Sequence, residues 1–425
     1  MRMRPIGYSD LGYFYRGAGD LTRDLMVDIE FRETVDKELL VRALGEALED
    51  YPEFAVQPLR DGASFVYREQ NRAVPIFPLD NTIRYFGAEE TGGYLFCVRA
   101  DEKKARFSVF HGMTDGKGCL GFYRTVLYHY GRGKGMKFSM VNPGKYEPLD
   151  KEDQFDPFAK YAAPIENFTT KQGSAESKEP VLILPEPDFP PSDPRLHAYE
   201  LELSTGEVLR LAKDMGTSVA PLLTVVMANA IDGLYGGEGK AIASFLPVNM
   251  LKMFGSKTRV NFNLTIPLLV SANLLQQEMP AQCHEIRAQM NRQIDKEKFA
   301  NIMRARIEET RRLQAGAPRS GSLGKRPAIT HTLTYPGRAD IDEEFLPLIS
   351  DWRMLAWAPV AGCGVIGYTQ GDRMTVRIAR RSDSPAIPKA AQEIFGRLGI
   401  PAKLIDDGCL LGDRLVVEKL SKKVN

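Results

Sequence analysis

The sequence predicts a two-layer α/β or α+β sandwich built on mixed sheets, and three observations carry that expectation. Apolar residues repeat at helical spacing in several long segments. Short strand-like runs stand between them, some in hairpin-like pairs such as TGGYLFCVRA and KARFSVF. The two kinds of segment alternate irregularly, with no short-period repeat. A chain of 425 residues exceeds one ordinary core, so two domains or one two-lobed unit is expected.

The elements follow in order. LMVDIEF reads as a strand. DKELLVRALGEALEDYPEF places Leu39, Leu40, Ala43, Leu44, Ala47 and Leu48 on one helical stripe, which Pro52 ends. SFVYRE and TGGYLFCVRA read as strands, Asp101–Lys104 as a turn, and ARFSVF as the returning strand. That strand runs into HGMTDGKG and then into a helix whose Leu120, Tyr123, Leu127 and Tyr130 repeat on an inward face.

Residues 143–194 hold ten of the chain's 27 prolines, mixed with acids, Ser and Gly, and read as a linker or crossover rather than a packed element. This gives a first part at 1–142, the linker at 143–194 and a second part at 195–425. The second part opens with the strand LHAYELEL and a helix started by Ser204–Thr205. The helix VAPLLTVVMANAIDGLY, apolar nearly all round, is expected at its centre. AIASFLPVNM and RVNFNLTIPLLV read as strands, Leu274 to about Gln314 as helical, ITHTLTYP, GCGVIGYTQ and RMTVRIARR as late strands, and SPAIPKAAQEIFGRLG as a closing helix.

Composition excludes several function classes. The formal net charge is +1, so there is no electrostatic case for nucleic acid or an anionic membrane. Five scattered cysteines form no C-x-x-C pair, which argues against a zinc knuckle or disulfide framework. No metal site is expected. The N-terminus shows no secretory h-region, and the apolar run Val219–Ile231 is too short to span a bilayer. A cytoplasmic protein with reduced thiols is the expectation.

The chemical centre is placed at His111, Asp115 and Gly116, spaced H-x-x-x-D-G. A chain of this composition yields about 0.06 such matches by chance, so the motif takes its weight from the strand before it and the helix after it. A neutral imidazole at the end of a strand can remove a proton from a hydroxyl, thiol or amine near neutral pH. Asp115, four residues on, is expected to hold the loop. Gly116 is expected to bring its backbone close to a reacting carbonyl, with its N–H facing an oxyanion.

Other candidates are read as structural. His129 sits in the last helical turn, where a cation suits the dipole. His197 and His284 read as exposed, His331 as a packed strand residue and Cys119 as a small core residue. GCGVIG matches G-x-G-x-x-G, but a turn and a strand follow it where a dinucleotide fingerprint needs a helix.

Three blocks together resemble the chloramphenicol acetyltransferase-like, CoA-dependent acyltransferase superfamily. They are HGMTDGKG, LLVRALGEALEDYPEFAVQPLRDGASFVY and FLPVNMLKMFGSKTRVNFNLTIPL. The loop is most similar to that of the alcohol acetyltransferase group. The resemblance implies two similar α/β subdomains with a tunnel between them, where acyl-CoA and acceptor meet at the histidine. It makes His111 the general base and Asp115 its loop-orienting partner. It implies acyl-CoA as co-substrate, with acetyl as the expected acyl group, no permanently bound cofactor, and a small alcohol or amine as acceptor. Transfer from an acyl-carrier protein and a non-catalytic ligand-binding member of the fold are the alternatives. The family's loop aspartate often meets an arginine after the P-V-N block. Here Leu251 and Lys252 stand there, so Arg259 or Arg16 is expected as the partner. Phe110 stands where many relatives carry a second histidine. Asn263 and Thr265 are the expected extra oxyanion or substrate contacts.

Overall fold

The computed structural model describes residues 2–16, 24–145, 149–164, 179–185, 188–189, 195–236, 239–317, 328–356 and 362–423. The first half contains β1 (Met3–Pro5), α1 (Tyr8–Arg16), β2 (Asp24–Phe31), α2 (Lys37–Asp50), β3 (Val56–Asp61), β4 (Ser64–Glu69), β5 (Ile76–Phe77), β6 (Phe96–Asp101), β7 (Lys104–Phe110) and α3 (Gly116–Gly133). Two short helices follow, α4 (Lys151–Phe155) and α5 (Pro157–Tyr161). The second half runs β8 (Arg195–Ser204), α6 (Thr205–Asp214), α7 (Val219–Tyr235), β9 (Ile242–Asn249), α8 (Leu251–Phe254), β10 (Asn263–Val270), α9 (Ala272–Leu275), α10 (Met279–Gln293) and α11 (Lys296–Gln314). It closes with β11 (His331–Arg338), β12 (Ile349–Ala356), β13 (Gly364–Gln370), β14 (Arg373–Arg380), α12 (Ala386–Arg397) and β15 (Lys403–Leu411).

The expected mixed α/β architecture is present. One sheet has the order β12-β2-β7-β6-β5, a second β10-β9-β11-β13-β14-β8-β15, and a small third β1-β4-β3. Strand β11 runs parallel to both β9 and β13, while the other pairs of the seven-stranded sheet are antiparallel. The GCGVIG run is no nucleotide loop: it opens β13, which turns through Gly371 into β14.

Two cores follow from the helical stripes. Leu39, Leu40, Ala43, Leu44, Ala47 and Leu48 of α2 pack with α3 and the five-stranded sheet. Asp36 caps α2 by accepting the Leu39 N–H at 2.9 Å, and its own N–H donates to the Tyr130 hydroxyl of α3. Helix α7 is buried along nearly its whole length at the centre of the second core, as its all-round apolar sequence predicts. Among the described residues no single helix is long and apolar enough to cross a membrane.

Two features tie the halves together. Strand β12 comes from the second half yet pairs antiparallel with β2 in the five-stranded sheet. After β15 the chain crosses the first half: Arg414 N–H donates to the Arg84 carbonyl, Lys423 N–H donates to the Arg60 carbonyl, and Leu415 and Leu420 enter the first core.

The reading of 143–194 as an unpacked linker needs correction where that segment is described. Asp150 and Asp156 cap α4 and α5 with their side chains, and Pro157 occupies the first turn of α5. Phe158, Leu182 and Leu184 are buried in the second core. The acids and prolines that read as linker composition start helices here.

Candidate active site

The strand-to-helix crossing is built by close packing. Phe110 ends β7 and is buried against Phe14, with ring centroids 5.4 Å apart, and near Tyr13 and Phe86. The side chain at 110 is thus a core residue. A Cβ on Gly112 would lie 2.4 Å from the Phe110 ring and 2.8 Å from the Tyr13 Cβ, so that position tolerates only glycine without rearrangement.

His111 is half-buried, and its ring lies 5.7 Å from that of Tyr13 on α1. Its Nδ1 stands 2.9 Å from the Thr114 carbonyl. A carbonyl only accepts, so Nδ1 carries the proton and Nε2 is the basic nitrogen. The imidazole is therefore oriented by its own loop.

The loop is clamped from the second half. Asn261 Nδ2 donates to the His111 carbonyl at 2.7 Å, and Thr114 Oγ1 donates to the Arg259 carbonyl at 2.7 Å. Asp115 is 4% exposed and caps α3, its Oδ1 accepting the Lys117 and Gly118 N–H at 3.0 and 3.1 Å. Its Oδ2 accepts from Asn249 Nδ2 at 3.0 Å, and the Phe262 N–H also donates to the carboxylate. Burial pushes the Asp115 carboxyl above the ordinary range, while the Gly118 N–H, the charge on His111 and the Lys117 and Phe262 N–H act against that rise.

This arrangement corrects one expectation. Among the described residues the side-chain partner of Asp115 is the Asn249 amide rather than Arg259, and no Lys or Arg there forms an ion pair with it. The Arg259 guanidinium turns to the Asp50 and Gly144 carbonyls at 2.5 and 3.0 Å, to Glu53 at 3.5 Å, and over the Tyr51 ring. Burial of Glu53 in the turn after α2 draws that cation there. The Arg16 side chain lies outside the described residues. A Cβ on Gly116 would meet nothing within 4 Å, so that side of its backbone is open. Gly118 is the tight position, where a Cβ would lie 2.1 Å from the Arg259 carbonyl oxygen and 2.3 Å from Thr114 Oγ1.

Asn263 and Thr265 are half-buried on β10. They face away from the second core, opposite Asn249 and Pro247 of β9. They thus share a face with the asparagine that reaches Asp115, and no hydrogen bond joins them to the loop among the described residues. The other histidines have structural surroundings. His129 bridges Glu46 and Asp50 of α2 at 2.7 and 3.0 Å. His197 is half-buried rather than exposed and meets Asp406 at 2.7 Å, while His284 is exposed. Burial drives His331 down to about 4 and the Cys119 thiol up to about 12.

The loop-holding residues missed from the sequence are Asn249, Asn261, Thr114 and Gly118. Asn249 and Asn261 lie in the P-V-N and V-N-F stretches of the second-half block. Nothing in a single sequence assigns those two amides to a loop well over a hundred residues away.

Comparison of the sequence with family models and with curated proteins gives no match. Comparison of the fold with solved structures gives many. Polyketide synthase associated protein 5 from Mycobacterium tuberculosis superposes with a TM-score of 0.63 at 12% identity, over 92% of this chain and 96% of that one. The fold is that of condensation domains. F. sporotrichioides TRI101, complexed with coenzyme A and T-2, gives 0.61 at 8% identity over 94% and 99%. A mutant starter condensation domain of rhizomide synthetase, in complex with C8-CoA and Leu-SNAC, gives 0.60 at 14% identity over 93% of each chain. At such identities the likeness is one of fold.

Proposed function

We propose that the chain is an acyltransferase that moves an acyl group, acetyl in the first instance, from acyl-CoA to a hydroxyl or amine of a small molecule, in the manner of the alcohol acetyltransferase group. The observation that carries the reading is the oriented imidazole. Nδ1 of His111 is held by the Thr114 carbonyl, so Nε2 is the proton acceptor, and the loop bearing it is bound at His111, Thr114 and Asp115 by the other half of the chain.

The chemistry balances without an acyl-enzyme. Nε2 takes the acceptor's proton as its oxygen or nitrogen attacks the thioester carbonyl. The tetrahedral oxyanion collapses, the carbon–sulfur bond breaks, and the departing thiolate receives the proton from the imidazolium. The Gly116 N–H, which has no acceptor among the described residues, is a candidate backbone donor for that oxyanion. Asn263 and Thr265 are candidate contacts to the substrate from the face they share with Asn249. General-base help of this kind contributes on the order of 10²–10⁴ in rate.

The likeness to condensation domains supports a second reading, in which the acyl group arrives on a carrier protein rather than on free CoA. A non-catalytic binding protein is the third. One experiment separates them: thiol release from acetyl-CoA, and from an acylated carrier protein, against a panel of alcohols and amines, for the wild type and His111→Ala. Release from CoA that is lost in the variant supports the first reading, and release from the carrier alone supports the second. Equal release by both proteins removes His111 from the chemistry, and no release from either donor leaves the binding protein.

A further inference from the structure

The environment of Asp115 bears on what that carboxylate does for His111. Its two oxygens take four hydrogen bonds, from the Lys117, Gly118 and Phe262 N–H groups and from the Asn249 amide, and all four donors are neutral. An ionised carboxylate only accepts, so four converging donors suit the charged form. The orientation of Asn249 is fixed on its other side: its Oδ1 accepts the Leu251 N–H at 3.0 Å, which turns its NH₂ toward Asp115.

Among the described residues, the charged and titratable groups around Asp115 are few. On its own loop stands His111, whose charge acts on Asp115. On α3, the Lys117 side chain is exposed and Cys119 is a buried, neutral thiol. From the segment between β9 and β10, Lys252 is exposed and Arg259 is directed at Glu53 and the Asp50 carbonyl. A cation bonded to Asp115 would cancel the carboxylate's field at the imidazole. A neutral amide holds the same carboxylate in place and leaves that field standing, in a buried site where charges are weakly screened.

We propose that Asn249 is a positioning residue: it fixes the Asp115 carboxylate without neutralising it, so that the negative charge stabilises the imidazolium that forms on His111. Its catalytic meaning rests on His111 being the general base, because the imidazolium is the state that base passes through. The electrostatic claim itself can be read without any substrate.

The test is an NMR titration of the His111 ring, its signal assigned by disappearance in His111→Gln, with folding checked by circular dichroism. Asn249→Lys places a cation on Asp115, and Asp115→Asn removes the carboxylate's charge. The expected result is a fall of about one unit in the His111 titration midpoint for Asn249→Lys and for Asp115→Asn. A midpoint unchanged in whichever of these variants folds overturns the proposal. The titration and the thiol-release assay can fail separately. A shifted midpoint with no acyl transfer keeps the electrostatic role and removes the acyltransferase reading. His111-dependent transfer with unshifted midpoints does the reverse.

Discussion

Arg99 on β6 and Asp413 in the segment after β15 form a two-pronged ion pair sealed from solvent, with Nη1–Oδ2 at 2.7 Å and Nη2–Oδ1 at 2.6 Å. Their side chains are 5% and 1% exposed, so neither charge has water to fall back on. The pair fixes the C-terminal segment across the first half, beside Leu415 and Leu420 in the core. Removing one partner leaves a buried charge alone. We expect Asp413→Asn or Arg99→Met to cost about 3–5 kcal/mol in urea unfolding, and the double replacement Arg99→Met/Asp413→Leu to recover much of that loss. Losses that simply add in the double variant would show that the pair is not coupled.

Asp24 stands next to this pair and sets an alkaline limit. It is fully buried, it accepts the Asp413 N–H at 2.9 Å, and burial together with the nearby Asp413 charge raises its carboxyl to about 8. In the folded chain it keeps a proton that the unfolded chain loses from about pH 4 upward. Stability therefore falls as pH rises from about 4 to about 8, by up to about 1.4 kcal/mol per unit, and the slope ends once the folded form also ionises. Asp24→Asn keeps an acceptor for the Asp413 N–H and has no proton to lose. Unfolding midpoints at several pH values across that window should lie level for the variant relative to the wild type. A slope that survives the substitution would place its origin elsewhere.

The elements legible in the sequence are those set by local periodicity. The α2 stripe, the β6–β7 hairpin around Asp101–Lys104, and α3 with its Asp115 cap follow from residues a few positions apart. So did the place of His111, because a strand end and a helix start frame it. Strand β15 escaped because its run Asp406–Gly408 breaks the alternation with a bulge, Gly408 having φ +77°. The partners of the loop escaped for a different reason. Asn249 and Asn261 act through contacts set by how the two halves dock, and an amide carries no periodicity or charge signal that names its target.

His331 limits the acid side. It lies at the start of β11 in register with Ser244, and neither of its ring nitrogens nor the Ser244 hydroxyl has a hydrogen-bond partner among the described residues. Burial lowers its imidazole to about 4, so below about pH 6.5 the unfolded chain takes up a proton that the folded chain refuses. Stability is lost as pH falls from about 6.5 to about 4. His331→Leu removes both orphaned nitrogens. It should raise stability by about 1–3 kcal/mol at neutral pH and flatten the acid limb, read by thermal unfolding at several pH values. A destabilised His331→Leu would mean that the ring nitrogens have buried partners such as ordered water.

The glycines of the loop offer the sharpest test of how the halves meet. The second glycine of D-G-K-G, Gly118, carries the close contact: its Cα faces the Arg259 carbonyl so tightly that a Cβ would sit 2.1 Å from the oxygen. Both neighbours of that Cβ are fixed, since the Arg259 carbonyl is backbone and the Thr114 hydroxyl that reaches it is itself bonded there at 2.7 Å. Relief requires the loop and the segment before β10 to separate, which also strains the Asn261–His111 and Asn249–Asp115 bonds beside it. Gly118→Ala should therefore cost about 1–3 kcal/mol and reduce turnover more than that loss of folded protein explains. Gly116→Ala meets open space at the first position of α3 and should be neutral or gain up to about 1 kcal/mol from lower chain entropy in the unfolded state. Urea unfolding of the two variants side by side decides it: equal stability would mean that the halves do not close on Gly118.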